Sequence, residues 1–130
     1  MRILCAVLTL TTSLLSMAKE ADPPAYITDS MLNSYVTQLQ QRLPVTGPDG
    51  TKMLSVNRQG RTIIYGMKSL DSINQQTADF MFNSQYRNML CQQSAESFWL
   101  KRKVNLTWNY FDKRGRFLAT ATITPSDCKY

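Results

Sequence analysis

Residues 104–123, VNLTWNYFDKRGRFLATATI, decide the fold. Val104, Leu106, Trp108 and Tyr110 alternate with Asn105, Thr107 and Asn109, and then Phe117, Ala119, Ala121 and Ile123 alternate with Leu118, Thr120 and Thr122. A period of two with one apolar face predicts a pair of half-buried antiparallel strands. Between them Asp112, Lys113, Arg114 and Gly115 have the chemistry of a type I turn, Asp suiting its first position and Gly its last.

Working back towards the N-terminus, Ile73, Thr77, Phe80, Met81, Ser84 and Leu90 carry a helical pattern into Cys91, predicting one helix over about 73–92. Ser72 followed by Gln75 has the spacing of a capping box. Ser94–Lys101 reads either as a further helical turn or as a connection. Earlier still, Met53–Asn57 and Thr62–Met67 form two short strand-like runs joined through Arg58, Gln59, Gly60 and Arg61, a second hairpin. Ile27, Met31, Tyr35, Leu39 and Leu43 recur every four residues, so a first helix is predicted there, capped by Thr28 or Asp29 and stopped by Pro44. Gly47, Pro48, Asp49 and Gly50 mark the loop that follows.

The order helix, hairpin, helix, hairpin predicts an α+β domain over 27–130. The expected architecture is a four-stranded antiparallel sheet with both helices on one face and no crossover between parallel strands. Residues 19–26, with Pro23 and Pro24, read as an extended lead-in.

The first residues carry a different message. Met1 and Arg2 precede an apolar run, Ile3–Leu15, and Ser16 and Ala18 are small residues at the two positions a signal peptidase needs. A signal peptide over 1–18, cleaved after Ala18, is expected, and with it a periplasmic or secreted product. The run is shorter than the roughly 18–20 residues that span a bilayer, so no permanent membrane anchor is expected. Cys5 lies too early in that run to be a lipid acceptor, and a buried first helix would show a polar face that this segment lacks.

Cleavage removes Cys5 and leaves Cys91 and Cys128, an even number in an oxidising compartment, for which a disulfide is the expectation. The alternatives are inert thiols or a nucleophilic cysteine. The chain holds no histidine to serve as that cysteine's base, and its three cysteines make no C-x-x-C pair.

No other residue set adds up to chemistry. The acidic residues are scattered singly from Asp29 to Asp127, without metal-ligand spacing, and the five glycines lie apart in turns rather than clustered as a phosphate loop. No cofactor, metal or catalytic residue is expected, although two carboxylates gathered by the fold would still suit hydrolase chemistry. The chain is basic, with 15 Lys and Arg against 9 Asp and Glu. Its cations cluster at Lys101, Arg102 and Lys103 and again at Lys113, Arg114 and Arg116. Such clusters are either a solvated hairpin tip and strand entry or a patch for an acidic protein, an anionic lipid or a glycan; nucleic acid is not expected in an exported protein. Phe111 and Leu118 fall on the otherwise polar face of the last hairpin. They either pack beneath a loop or helix end or join an exposed apolar patch for a partner.

A helix closing at Leu43-Pro44, Tyr65 in the second strand, Cys91 at a helix end, and the run Tyr110, Asp112, Gly115, Thr124, Asp127-Cys128 make a recognisable set. Together they resemble a group of small bacterial secreted or periplasmic proteins that includes the quorum-sensing-regulated virulence factor type. The resemblance implies a Gram-negative periplasm and a compact α+β fold, and it brings no catalytic residues. The functional expectation is a non-enzymatic protein-interaction module, such as an envelope or secretion accessory, with a protein partner. The alternatives are an immunity or inhibitor protein, for which a basic hairpin at Lys113–Arg116 would suit an acidic active site, and a carboxylate hydrolase.

Overall fold

The computed structural model describes residues 26–48, 50–69 and 73–130. The expected signal peptide, residues 1–18, the lead-in up to residue 25, and Ser72 of the expected capping box lie outside these described residues.

The last hairpin forms as its alternation dictates. Strands β4 (Asn105–Phe111) and β5 (Phe117–Ile123) pair antiparallel, with Leu106 opposite Ile123 and Trp108 opposite Ala121. Asp112 closes the turn: its carbonyl accepts the Gly115 N–H at 3.0 Å, and its carboxylate accepts the N–H groups of Arg114 and Arg116 at 2.8 and 2.9 Å. The earlier hairpin also forms, from β2 (Lys52–Gln59) and β3 (Thr62–Lys68), with Gly60 in the left-handed region at φ +57°.

The sheet differs from the expected four antiparallel strands in two ways. It has five strands in the order β1-β2-β3-β4-β5, because the two-residue β1 (Val45–Thr46) pairs with the start of β2. It is also mixed, because β3 and β4 run parallel, with Ile63 beside Leu106 and Tyr65 beside Trp108. Alternation specifies which face of a strand is buried but not the direction of its neighbour, so both hairpins present their apolar faces to the same side in either arrangement. What permits the parallel pair is a connection long enough to return the chain to the start of the next strand.

That connection is three helices rather than one: α2 (Gln75–Met81), α3 (Ser84–Gln92) and α4 (Ser94–Lys101), with α1 (Asp29–Gln40) preceding the sheet. The single helix expected over 73–92 breaks at Phe82–Asn83, because Asn83 leaves the helical region and its side chain accepts the Tyr86 N–H at 3.0 Å, capping a new helix. Asn74 caps α2 in the same way, accepting the Thr77 N–H at 2.8 Å. Ser94–Lys101 resolves as a helix, and Thr28 caps α1 through the Met31 N–H at 3.2 Å.

All four helices cover one face of the sheet. Leu32 and Val36 of α1 and Leu100 of α4 join Val56, Ile63, Leu106 and Ile123 of the sheet in one buried cluster. Burying a side chain of this size stabilises the fold by about 1.5–3 kcal/mol. Cys91 at the end of α3 is bonded to Cys128 in the C-terminal 3-10 turn (Pro125–Cys128), with Cα atoms 5.5 Å apart. No helix among the described residues is long and apolar enough to cross a membrane.

Candidate functional site

A cavity opens at the helix break. Where α2 stops, Phe82 turns inward, 4% exposed, and its ring meets Trp108 at 5.7 Å and Tyr86 at 4.9 Å. Arg87 secures the corner, donating to the Phe82 carbonyl at 2.8 Å, to the Thr122 carbonyl at 2.9 Å and to Asp127 at 3.2 Å. Beneath this corner the cross-strand row Met53, Met67, Tyr110 forms a floor, its side chains partly buried against the core.

The resulting cavity has a volume of about 530 Å³. Trp108 and the Met53 row line its floor, Phe82, Tyr86 and Leu90 its roof, and Val45 and Gly47 one side of its mouth. Thr51, Ser69, Gln93 and Glu96 add polar groups, and Glu96 is the only formally charged side chain among the described residues lining it. Glu96 lies in the first turn of α4, where a carboxylate complements the helix dipole. Beside the floor, where Tyr65 stacks on Trp108, burial above all pushes the Tyr65 phenol well up from its usual range, and the neighbouring Tyr35 and Glu96 push the same way, so it stays protonated.

Outside the mouth the surface remains apolar. Phe80 (77% exposed), Met81 and Met89 are large exposed hydrophobic side chains. They line a second depression of about 520 Å³ that shares Met81 and Tyr86 with the first. Clustered exposure of this kind on a small domain marks an interaction surface. The cavity can accept an apolar side chain with one cation or hydrogen-bond donor beside it. Glu96 faces no second carboxylate among the described residues of the lining, so this cavity does not provide the pair that two-carboxylate hydrolysis requires there.

The residues singled out from the sequence lie elsewhere. Lys101, Arg102 and Lys103 end α4, at the start of β4, whereas Lys113, Arg114 and Arg116 sit at its far end, so the seven residues of β4 hold the two clusters roughly 20 Å apart. Arg102 is drawn onto its own helix, donating to the Phe98 carbonyl at 2.7 Å with its guanidinium 4.0 Å from the Phe98 ring centre. Arg116 is paired with Asp112 at 2.8 Å. The backbone N–H of Arg116, followed by its side chain and the Arg114 N–H, holds the Asp112 carboxyl below the usual range. Phe111 and Leu118 lie on the sheet face away from the helices. There Phe111 stacks edge-on against Phe117 at 6.0 Å.

Sequence reasoning missed the cavity because its walls come from seven elements, each contributing one or two residues, and from the connections between them. The available signal was the surplus of Met and aromatic residues around 80–90, more than one helix face can bury.

No protein-family model matches the sequence, and no curated protein matches it. Among solved structures, the chain is similar in fold to the type II secretion system pilotin AspS from Vibrio cholerae, with a TM-score of 0.55 at 15% identity, covering 73% of this chain and 86% of that one. It is similar to EpsS, a type 2 secretion system pilotin from Vibrio vulnificus, with a TM-score of 0.57 at 13% identity, over 78% and 92% of the two chains. A putative secreted protein from Pseudomonas aeruginosa aligns with a TM-score of 0.56 at 18% identity, over 77% and 91%. These neighbours agree with the coarser part of the sequence resemblance, a small α+β fold. They do not support the quorum-sensing-regulated virulence factor type.

Proposed function

We propose that the chain is an exported, non-enzymatic accessory of a secretion system that binds a protein component of that system through the cavity beneath the α2–α3 corner. The observation that carries this reading is the open apolar cavity with Phe80, Met81 and Met89 exposed at its mouth. The shared fold of two type II secretion pilotins supports the same role. The partner segment is an amphipathic peptide whose apolar residues fill the space over Met53 and Trp108 and whose Lys or Arg meets Glu96. Residues 1–18 act as a cleaved export signal, which delivers the domain to the periplasm or beyond it, where the Cys91–Cys128 bond is stable.

A photo-crosslinking residue at position 81, installed in the producing cell, tests this directly. A single adduct with an envelope component of the secretion apparatus is expected, lost when Phe80→Asp and Met89→Asp are combined and absent from a probe at position 103. Equal labelling from positions 81 and 103, or an adduct unaffected by the two substitutions, would refute the assignment. The inhibitor reading gains nothing from the hairpin tip, where Arg116 already pairs with Asp112.

A further inference from the structure

The other face of the sheet, at the same end as the cavity, carries a second surface. At the end of the strands, register aligns four side chains in one row across β2, β3, β4 and β5: Lys52 beside Lys68, Lys68 beside Phe111, and Phe111 beside Phe117. Like charges placed directly opposite one another across a strand pair are destabilising, so a Lys–Lys neighbour is a cost unless something neutralises it. Lys113, brought round by the β4–β5 turn, lines the same small concavity of about 240 Å³ with Lys52, Lys68, Gly50 and Ser69. Among the described residues no carboxylate lines this concavity, and none of its three lysines makes an ion pair. The two phenylalanines continue the row as an apolar shelf, and Phe117 is 57% exposed.

We propose that Lys52, Lys68 and Lys113 form an anion site for a phosphate group, with Phe111 and Phe117 seating the apolar part of the molecule that carries it. An anionic phospholipid headgroup and a free phosphate share this chemistry. Three ammonium groups converging from separate segments supply charge without fixed directionality, which suits a phosphate held by Coulomb attraction at a surface. The site lies on the sheet face away from the helices, back to back with the cavity, and shares only Ser69 with the cavity's lining among the described residues.

The test uses the chain from Lys19 onward, with its disulfide formed. Inorganic phosphate is titrated while amide chemical shifts are followed, and in parallel the protein is sedimented with vesicles of phosphatidylcholine alone or mixed equally with phosphatidylglycerol. Phosphate is expected to shift the amides of Gly50, Lys68 and Ser69. The protein is expected to sediment with the mixed vesicles and not the neutral ones. Lys52→Gln with Lys68→Gln weakens vesicle binding roughly thirtyfold, at about 1 kcal/mol per cation. Phe117→Ser weakens vesicle binding and leaves the phosphate shifts in place. Phosphate shifts without any preference for anionic vesicles assign a free phosphate to the same site. The proposal is overturned if neither probe acts on the native chain. Binding that appears only once Asp49→Asn and Asp71→Asn are introduced would also overturn it, since the chain's own carboxylates would then be the lysines' counterions. So would binding that survives loss of the lysines.

Discussion

The side chain of Gln75 is hydrogen-bonded to the backbone of Thr120 on both sides: its amide donates to the Thr120 carbonyl at 2.8 Å, and its oxygen accepts the Thr120 N–H at 3.0 Å. β5 is the last strand of the sheet, and a glutamine from α2 occupies the pairing groups that another strand would use. On the other edge Gln40 plays a smaller version of this part, donating to the Val56 carbonyl of β2 at 2.9 Å. Gln75→Ala should therefore cost about 1 kcal/mol in urea unfolding. It should also raise hydrogen exchange at the Thr120 amide and promote self-association in size-exclusion chromatography. Unchanged exchange at Thr120 would show that the glutamine does not guard the edge.

Gly66 is required by what lies over it. A Cβ there would sit 2.0 Å from the Ser55 Oγ and 3.7 Å from the Phe111 ring, so the outer face has no room for a methyl group. Gly66→Ala is expected to destabilise by about 1–3 kcal/mol through overpacking. Adding Ser55→Ala should recover part of that loss, because the closest atom is the serine hydroxyl. A thermal melt of the three variants checks the order.

The Cys91–Cys128 bond closes a loop with a sequence separation of 37. In the chain-entropy model this is worth about 4 kcal/mol. Replacing both cysteines with serine should lower the urea midpoint accordingly, and thiol titration of the native protein without reductant should find neither cysteine free. Reaction of both would refute the bridge.

Tyr65 ties stability to alkaline pH. Its phenol is held protonated in the fold, so above the ordinary tyrosine pKa of about 10 the folded chain binds more protons than the unfolded chain, and stability falls as pH rises. Below that pH the contribution is fully present. The Tyr65 phenolate absorbance should emerge only with unfolding, and Tyr65→Phe should flatten the decline between about pH 10 and 12. An identical decline in Tyr65→Phe would remove Tyr65 as its cause.

The final hairpin was legible because Leu106, Trp108 and Tyr110 repeat with period two and Asp112 and Gly115 bracket a turn. The parallel β3–β4 pair was not, since Ile63 and Leu106 would be equally buried beside an antiparallel neighbour. Asn83 was hidden too: it falls within a helical pattern and reads as a polar surface residue until its side chain is seen capping α3. β1 is too short to show any pattern. The basic residues show the difference most clearly. Lys101–Lys103 and Lys113–Arg116 cluster in sequence and are parted by β4, whereas Lys52, Lys68 and Lys113 are remote in sequence and are joined by strand register and the β4–β5 turn.

The parallel pairing also sets an order of events. Each hairpin closes over a few residues, but Ile63 meets Leu106 only after the whole helical connection has been laid between them, and such non-local pairings are slow to form. The two halves of the sheet can therefore be present while the molecule remains open along its middle seam. A chain in that condition exposes Ile63 and Leu106 together until the seam shuts, a liability that neither hairpin carries once the two are joined.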